Sequence, residues 1–221
     1  MNEIKKNHPL FNRHPLSYIG GVLSYYMNNG LISDSVSLTF SKYHYHPQSF
    51  SDVRKAFTLP LWQLNDNCLM DILSSLNLGE ELAFHSQIFD FGATYHLPLI
   101  DFGNVDRGII DSSILRELAG HWNMSFNIYN SGRSYHAYGN RLLSNDEWLR
   151  FMGSLLLLNK PSGFKLIDER WVGHRIMAGY SALRWSCNTK QYKKVPTHIG
   201  YLDPNGLFIE PSSNNYNVTG E

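Results

Sequence analysis

Residues Ser131-Gly132-Arg133-Ser134-Tyr135-His136 place a flexible turn, a guanidinium and an imidazole side by side. Glycine has no Cβ and tolerates a left-handed backbone, so a Ser-Gly turn lets main chain approach a phosphate closely. An arginine fork donates to phosphate oxygens, and the histidine adds a polar tip just past the turn. Two carboxylates stand outside the turn, each at the end of an apolar stretch: Asp101 after Leu97-Pro98-Leu99-Ile100, and Asp168 after Leu166-Ile167. Brought together, the pair could hold a divalent cation against a phosphate. The chemistry that fits these residue types is the handling of a nucleotide.

Further cations follow the second carboxylate. From Lys165 to Lys194 there are seven Lys and Arg residues against only Asp168 and Glu169, although the 221-residue chain as a whole has zero formal net charge. Arg170, His174 and Arg175 recur at helical spacing beside Asp168, which suits a polyanion or a triphosphate. Arg184-Trp185 joins a guanidinium to an indole that can stack on a base or fill a core. Lys190, Lys193 and Lys194 around Tyr192 would track a nucleic-acid backbone in a salt-sensitive, sequence-indifferent way. His44 and His46 share a strand face but lack a third ligand nearby, so they read as surface histidines.

The elements that must position these groups are legible in outline. Apolar spacing predicts helices over 17–28, ended by Gly30, and over 67–78, ended by Gly79. Alternation predicts strands over 35–45 and 81–90, the latter turning through Gly92-Ala93-Thr94 into a strand over 95–102 that delivers Asp101. A helix over 111–122 starts at Asp111-Ser112-Ser113, and strands over 126–129 and 135–138 flank the Ser-Gly turn. Ser144-Asn145-Asp146-Glu147 is a capping box for a helix running to Leu158. A strand over 165–168 and a helix over 170–178, ended by Gly179, complete an α+β order with no linker to divide it. Residues 1–80 are expected to pack on a core spanning 81–202, and the Asn- and Ser-rich stretch 203–221 is expected to be loose.

The composition, 43% hydrophobic, is ample for a core, and the neutral net charge confines any anion-binding surface to a local patch. Cys68 and Cys187 form no CxxC pair, which argues against a zinc site and a disulfide framework and favours a reducing, cytoplasmic setting. The apolar run Leu155–Leu158 is too short to span a bilayer, and the residues after Met1 do not form a signal segment.

The chain resembles the archaeo-eukaryotic primase superfamily, primases and primase-polymerases whose catalytic core is a modified RNA-recognition-like sheet with packed helices. Three blocks carry the resemblance: the strand ending in Asp101-Phe102-Gly103, the turn Ser131–His136, and Leu166-Ile167-Asp168. A later segment, Tyr180–Ser186, corresponds to an arginine-containing stretch of the family through Arg184. The resemblance spans about residues 81–200 and implies that Asp101 and Asp168 hold Mg²⁺ or Mn²⁺. It implies that Ser131, Arg133, Ser134, His136 and Arg184 contact a nucleoside triphosphate. The family's first motif is Asp-x-Asp, two carboxylates on one strand face. Here the second position is Gly103, so Asp101 and Asp168 suit one cation rather than the two, roughly 3.5–4 Å apart, of two-metal chemistry. Asp106 and Glu169 are the nearest substitutes.

The expected activity is therefore metal-dependent templated nucleotidyl transfer on single-stranded or primed nucleic acid. The alternative is a degenerate primase fold that binds nucleic acid or nucleotide without catalysis, as a subunit of a mobile-element or anti-phage defence assembly with protein partners. A metal-dependent nuclease is a third reading, with nothing to position its attacking water.

Overall fold

The computed structural model describes residues 13–103, 112–163 and 165–209; Pro9, Asp106, Asp111 and positions 210–221 lie outside the described residues. In chain order the elements are α1 (Pro15–Asn28), β1 (Ser37–His44), β2 (Arg54–Pro60), a 3-10 turn (Leu61–Gln63), α2 (Asp66–Ser74), β3 (Glu80–Asp90), β4 (Ala93–His96), β5 (Leu99–Asp101) and α3 (Ser112–Trp122), then β6 (Phe126–Asn130), β7 (Tyr135–Gly139), α4 (Asn145–Leu156), α5 (Glu169–Ala178), β8 (Ala182–Arg184), β9 (Thr197–Asp203) and β10 (Gly206–Ile209). The fold is α+β, as its sequence predicts. Among the described residues, five α-helices accompany two five-stranded antiparallel sheets, and no helix is long and apolar enough to cross a membrane.

The first sheet runs β2-β1-β3-β4, with β8 also on β3; the second runs β10-β9-β6-β7-β5. An antiparallel bridge between Phe102 and Ile167 extends the second sheet past β5. The succession β5-α3-β6-β7-α4-Ile167, in the spatial order β6-β7-β5-Ile167, is a split βαβ arrangement of the RNA-recognition type. The expected strand over 165–168 is reduced to that single bridge. Asp168 turns the chain at once into α5, whose N-terminus its side chain caps by accepting from Trp171 N at 3.0 Å.

The expected strand over 95–102 is two strands. Pro98 has no N–H for a ladder, and the chain changes sheets there: β4 pairs with β3, and β5 pairs with β7. Residues 203–209, expected to be loose, instead close the β9–β10 hairpin. Its turn Asp203-Pro204-Asn205-Gly206 is set by Asp203, whose side chain accepts from Asn205 N at 2.7 Å and Gly206 N at 3.0 Å. The capping box of α4 forms as read, with Ser144 and Glu147 reciprocally bonded.

Side-chain alternation divides the interior into two cores. Ile100, Ile128 and Ala137 face α3 and α4 through Leu115, Trp148 and Phe151. Leu99, Tyr129 and Tyr138 face the first sheet through Phe40, Phe84 and Trp185, where Ile19 and Leu23 of α1 also pack. Successive strand residues alternate faces, so Asp101 and His136 lie on the side of Leu99 and Tyr138. Both emerge where the two sheets separate.

Candidate functional site

Asp101 ends β5 directly opposite His136 of β7 in the strand register. Asp101 Oδ1 lies 3.7 Å from His136 Nε2, and the imidazole is 7% exposed with its Nδ1 buried and unpartnered. Asp168 is tied to the same place by its backbone N–H, which donates to the Asp101 carbonyl at 3.2 Å. Its Oδ1 is used in capping α5, which leaves the other carboxylate oxygen for a ligand.

Gly103 explains the reduced motif. Its N–H donates to the Leu166 carbonyl at 2.9 Å, and a Cβ built at this position would stand 2.6 Å from the Lys165 carbonyl oxygen. The close approach of 165–167 to β5, which delivers Asp168, thus occupies the space that a second carboxylate side chain would need. Asp106 lies outside the described residues, and Glu169 is exposed and bonded to Lys165 and Asn159, so it does not substitute.

Arg184 reaches the site from β8. It is 5% exposed, and its hydrogen bonds go to backbone carbonyls of Ser186, Lys194 (3.2 Å) and Ser131 (2.5 Å). The ring of Tyr192 lies 3.9 Å from its guanidinium carbon, so the charge is held in place without a carboxylate partner in these contacts. The Ser-Gly turn is equally fixed. Gly132 has φ 98° and sits against Lys194, where a side chain would crowd. Ser131 Oγ donates to the Ser134 carbonyl at 2.9 Å, while Ser134 Oγ donates to the carbonyls of Phe102 (2.6 Å) and Gly103 (2.5 Å). The Ser131 hydroxyl therefore closes the turn on itself, and the Ser134 hydroxyl fastens it to the end of β5. Both serines, expected to contact a nucleoside triphosphate, also line the site's cavity.

A cavity of about 320 Å³ gathers these groups: Asp101, Gly103, Ser131, Arg133, Ser134, His136, Asp168 and Arg184 all line it. Tyr192 of the basic stretch also lines it, and residues that no motif announced complete it: Tyr43 and Tyr45 from β1 and just beyond, Arg54 from β2, and Gln191. The only sequence signal for the β1–β2 wall was the aromatic cluster ending the strand. Arg133 is exposed where it lines the cavity; Lys190, Lys193 and Lys194 are exposed but do not line it. Arg170 and His174 of α5 lie outside this cavity and line a neighbouring one.

Two of the residues expected to contact a polyanion are buried. Trp185 is fully buried, stacked on Phe84 at 4.9 Å, with its indole N–H donating to Tyr138 Oη at 3.1 Å, so it cannot stack on a base. Arg175 is 2% exposed and paired with Asp52, so it is no part of an open basic face.

The electrostatics of the site follow from burial. Desolvation first, and the negative charge of Asp168 second, push the Asp101 carboxyl up to about 8, against the opposing pull of Arg184. Burial, reinforced by Arg184, holds His136 well below its ordinary value, so the imidazole is neutral at pH 7. Without a ligand the cavity thus holds a protonated Asp101 between a neutral histidine and an anchored cation. A divalent cation would displace that proton. Among the described residues no three His, Cys, Asp or Glu side chains form a self-sufficient metal cage.

A family model described as archaeo-eukaryotic primase 1D-like (AEP-like) matches residues 60–197. The match takes in the 3-10 turn and α2, ahead of the region where the sequence motifs begin. Searches of curated proteins and of solved structures find no match. The match covers more than half of the chain and agrees with the split βαβ sheet, the His136 turn and the Asp101–Asp168 pair, so the chain belongs to the archaeo-eukaryotic primase-like family.

Proposed function

We propose that this protein binds a nucleoside triphosphate in the 320 Å³ cavity, together with single-stranded or primed nucleic acid, and joins nucleotides in a templated, metal-dependent reaction. The observation that carries the reading is convergence. Residues 101, 133, 136, 168 and 184, remote in sequence, share one cavity. Arg184 and Arg133 neutralise triphosphate charge, and the neutral His136 offers a ring N–H to a phosphate oxygen. Asp101 and Asp168 would hold one Mg²⁺ or Mn²⁺, a cation that commonly takes one or two carboxylates plus substrate phosphates. Such an ion, when bound, supplies charge neutralisation and alignment of the phosphates.

Primer extension by the purified chain with Mn²⁺ tests this. Asp101→Ala is expected to lower incorporation by at least about 100-fold with the fold intact; unchanged incorporation contradicts the assignment. A second reading has its own observation, the backbone carbonyl standing where a second carboxylate would be. On that reading the chain binds nucleotide and strand but transfers nothing, and serves a larger assembly, such as one of a mobile element or an anti-phage system. Binding without any extension would favour it.

A further inference from the structure

A second cavity, of about 350 Å³, adjoins the first and shares Tyr43, Tyr45, Arg54, Asp101, Asp168 and Trp171 with it. Its other walls are the irregular segment between β1 and β2 and the helix α5. Arg175 lines it. This side chain is 2% exposed, donates through Nη2 to Asp52 Oδ2, and has both Nε and Nη1 buried without a partner. Arg54 Nε donates to the same Asp52 oxygen at 2.8 Å. Two guanidiniums therefore converge on one carboxylate oxygen, and buried donors of one of them are left unused.

A buried donor without an acceptor is costly, so this geometry marks a site built for a larger anion than the one it holds. A phosphate offers several acceptor oxygens around one centre and matches the guanidinium fork. The two cations are held in advance, Arg54 over Tyr43 at 4.1 Å and Arg175 over Tyr180 at 5.6 Å. The occupant is displaceable. Asp52 is 24% exposed, and its segment also carries Gln48 at φ 56° and solvent-facing Phe50 and Val53. Arg170, which donates to the Ser49 carbonyl at 3.0 Å, and His174 continue the basic wall beyond the arginine pair, giving a track longer than one nucleotide.

We propose that Arg54 and Arg175 form a second anion subsite, occupied here by Asp52 of the same chain, which takes a backbone phosphate of a nucleic-acid strand when Asp52 withdraws. The assignment rests on the reading that the first cavity takes a nucleoside triphosphate, since Asp101 and Asp168 wall both cavities and would then face nucleotide and strand alike. Asp52 acts as an internal competitor.

The test is binding of a labelled single-stranded oligonucleotide and, separately, of a labelled nucleoside triphosphate to the full chain, with folding checked by thermal melting. Asp52→Asn is expected to tighten the oligonucleotide about tenfold at fixed salt, with under threefold change for the nucleotide. Arg175→Gln is expected to weaken the oligonucleotide and to reduce the slope of log K against log salt by about 0.7, one phosphate contact of a single strand. Oligonucleotide affinity that is unchanged or weaker in Asp52→Asn overturns the subsite, whatever Arg175→Gln does to folding. Tightening of a second nucleoside triphosphate, with the oligonucleotide unaffected, overturns the strand assignment. Absent nucleotide binding with a tightened oligonucleotide supports the subsite and counts against the nucleotide reading alone.

Discussion

Asp101 is where fold stability and the proposed metal binding compete. Its folded-state pKa, about 8, stands above the unfolded value of 3.8, so the stability it contributes is full below 3.8 and is lost as pH rises through 8. Asp101→Asn, which cannot ionise, should therefore be more stable than the wild type at pH 8 in chelator, by about 1–3 kcal/mol, and no more stable at pH 3.5. Equal melting of the two proteins at pH 8 would refute the buried-carboxyl account. Gly103 makes the complementary case. Gly103→Asp, which restores the family's second carboxylate on paper, should destabilise the fold by about 1–3 kcal/mol and leave metal affinity no better, because its side chain meets the Lys165 carbonyl. Melting curves and Mn²⁺ titration read both effects. At this scale the sequence was informative where a residue type carried its own chemistry: Asp101, Arg133, His136, Asp168 and Arg184 all line the cavity. It was silent on Tyr43 and Arg54, whose roles depend on a strand pairing far from any motif. It was ambiguous at Trp185, since an aromatic beside an arginine serves a core as readily as a base.

The elements that position the site depend on one buried acid. Glu81 of β3 is fully buried and accepts from Ser186 Oγ, Asn188 N (3.0 Å) and Thr189 N (2.8 Å), pinning the start of the loop that carries Tyr192 and Lys194. Lys194 in turn supplies a carbonyl to Arg184. Glu81→Ala leaves those donors unsatisfied and should cost about 2–4 kcal/mol in stability, with weakened nucleotide binding through a loosened Arg184. Binding at wild-type strength would show that the loop does not position the arginine. Local signals such as the Ser144 capping box and the turn at Gly132 were readable because their chemistry is confined to a few neighbouring residues. The change of sheets at Pro98 and the one-residue bridge at Ile167 were not, because both are decided by which distant strand lies alongside.

Across the whole molecule, two sheets packed face to face bury histidines that must stay neutral. Burial pushes His14 and His96 down to about 4 and His85 to about 3. His14 shows why: its Nδ1 caps α1 by accepting from Leu16 N at 3.2 Å, while Nε2 donates to the Trp185 carbonyl at 3.0 Å, so the ring could gain a proton only at Nδ1, at the cost of the cap. These folded-state values lie below the ordinary 6.5, so the associated stability is complete above pH 6.5 and is lost as pH falls toward 3. The melting temperature should drop by ~10 °C or more between pH 7 and pH 4.5. A flat profile would mean that these rings are not buried neutral. The two sheets also explain why the fold class was evident from the order of elements while the site's second wall was not. That wall comes from the first sheet, whose β1–β2 pairing precedes every family motif.

Asp101, Asp168, His136 and Arg184 are proposed to form one nucleotide site. The most direct measurement is titration of a labelled nucleoside triphosphate against the purified protein with and without Mn²⁺, in the wild type and in His136→Ala and Asp101→Ala. Saturable binding that strengthens with Mn²⁺ and is lost in both variants is the predicted result. Absence of binding in the folded wild type, or binding indifferent to Mn²⁺ and to both substitutions, would contradict it.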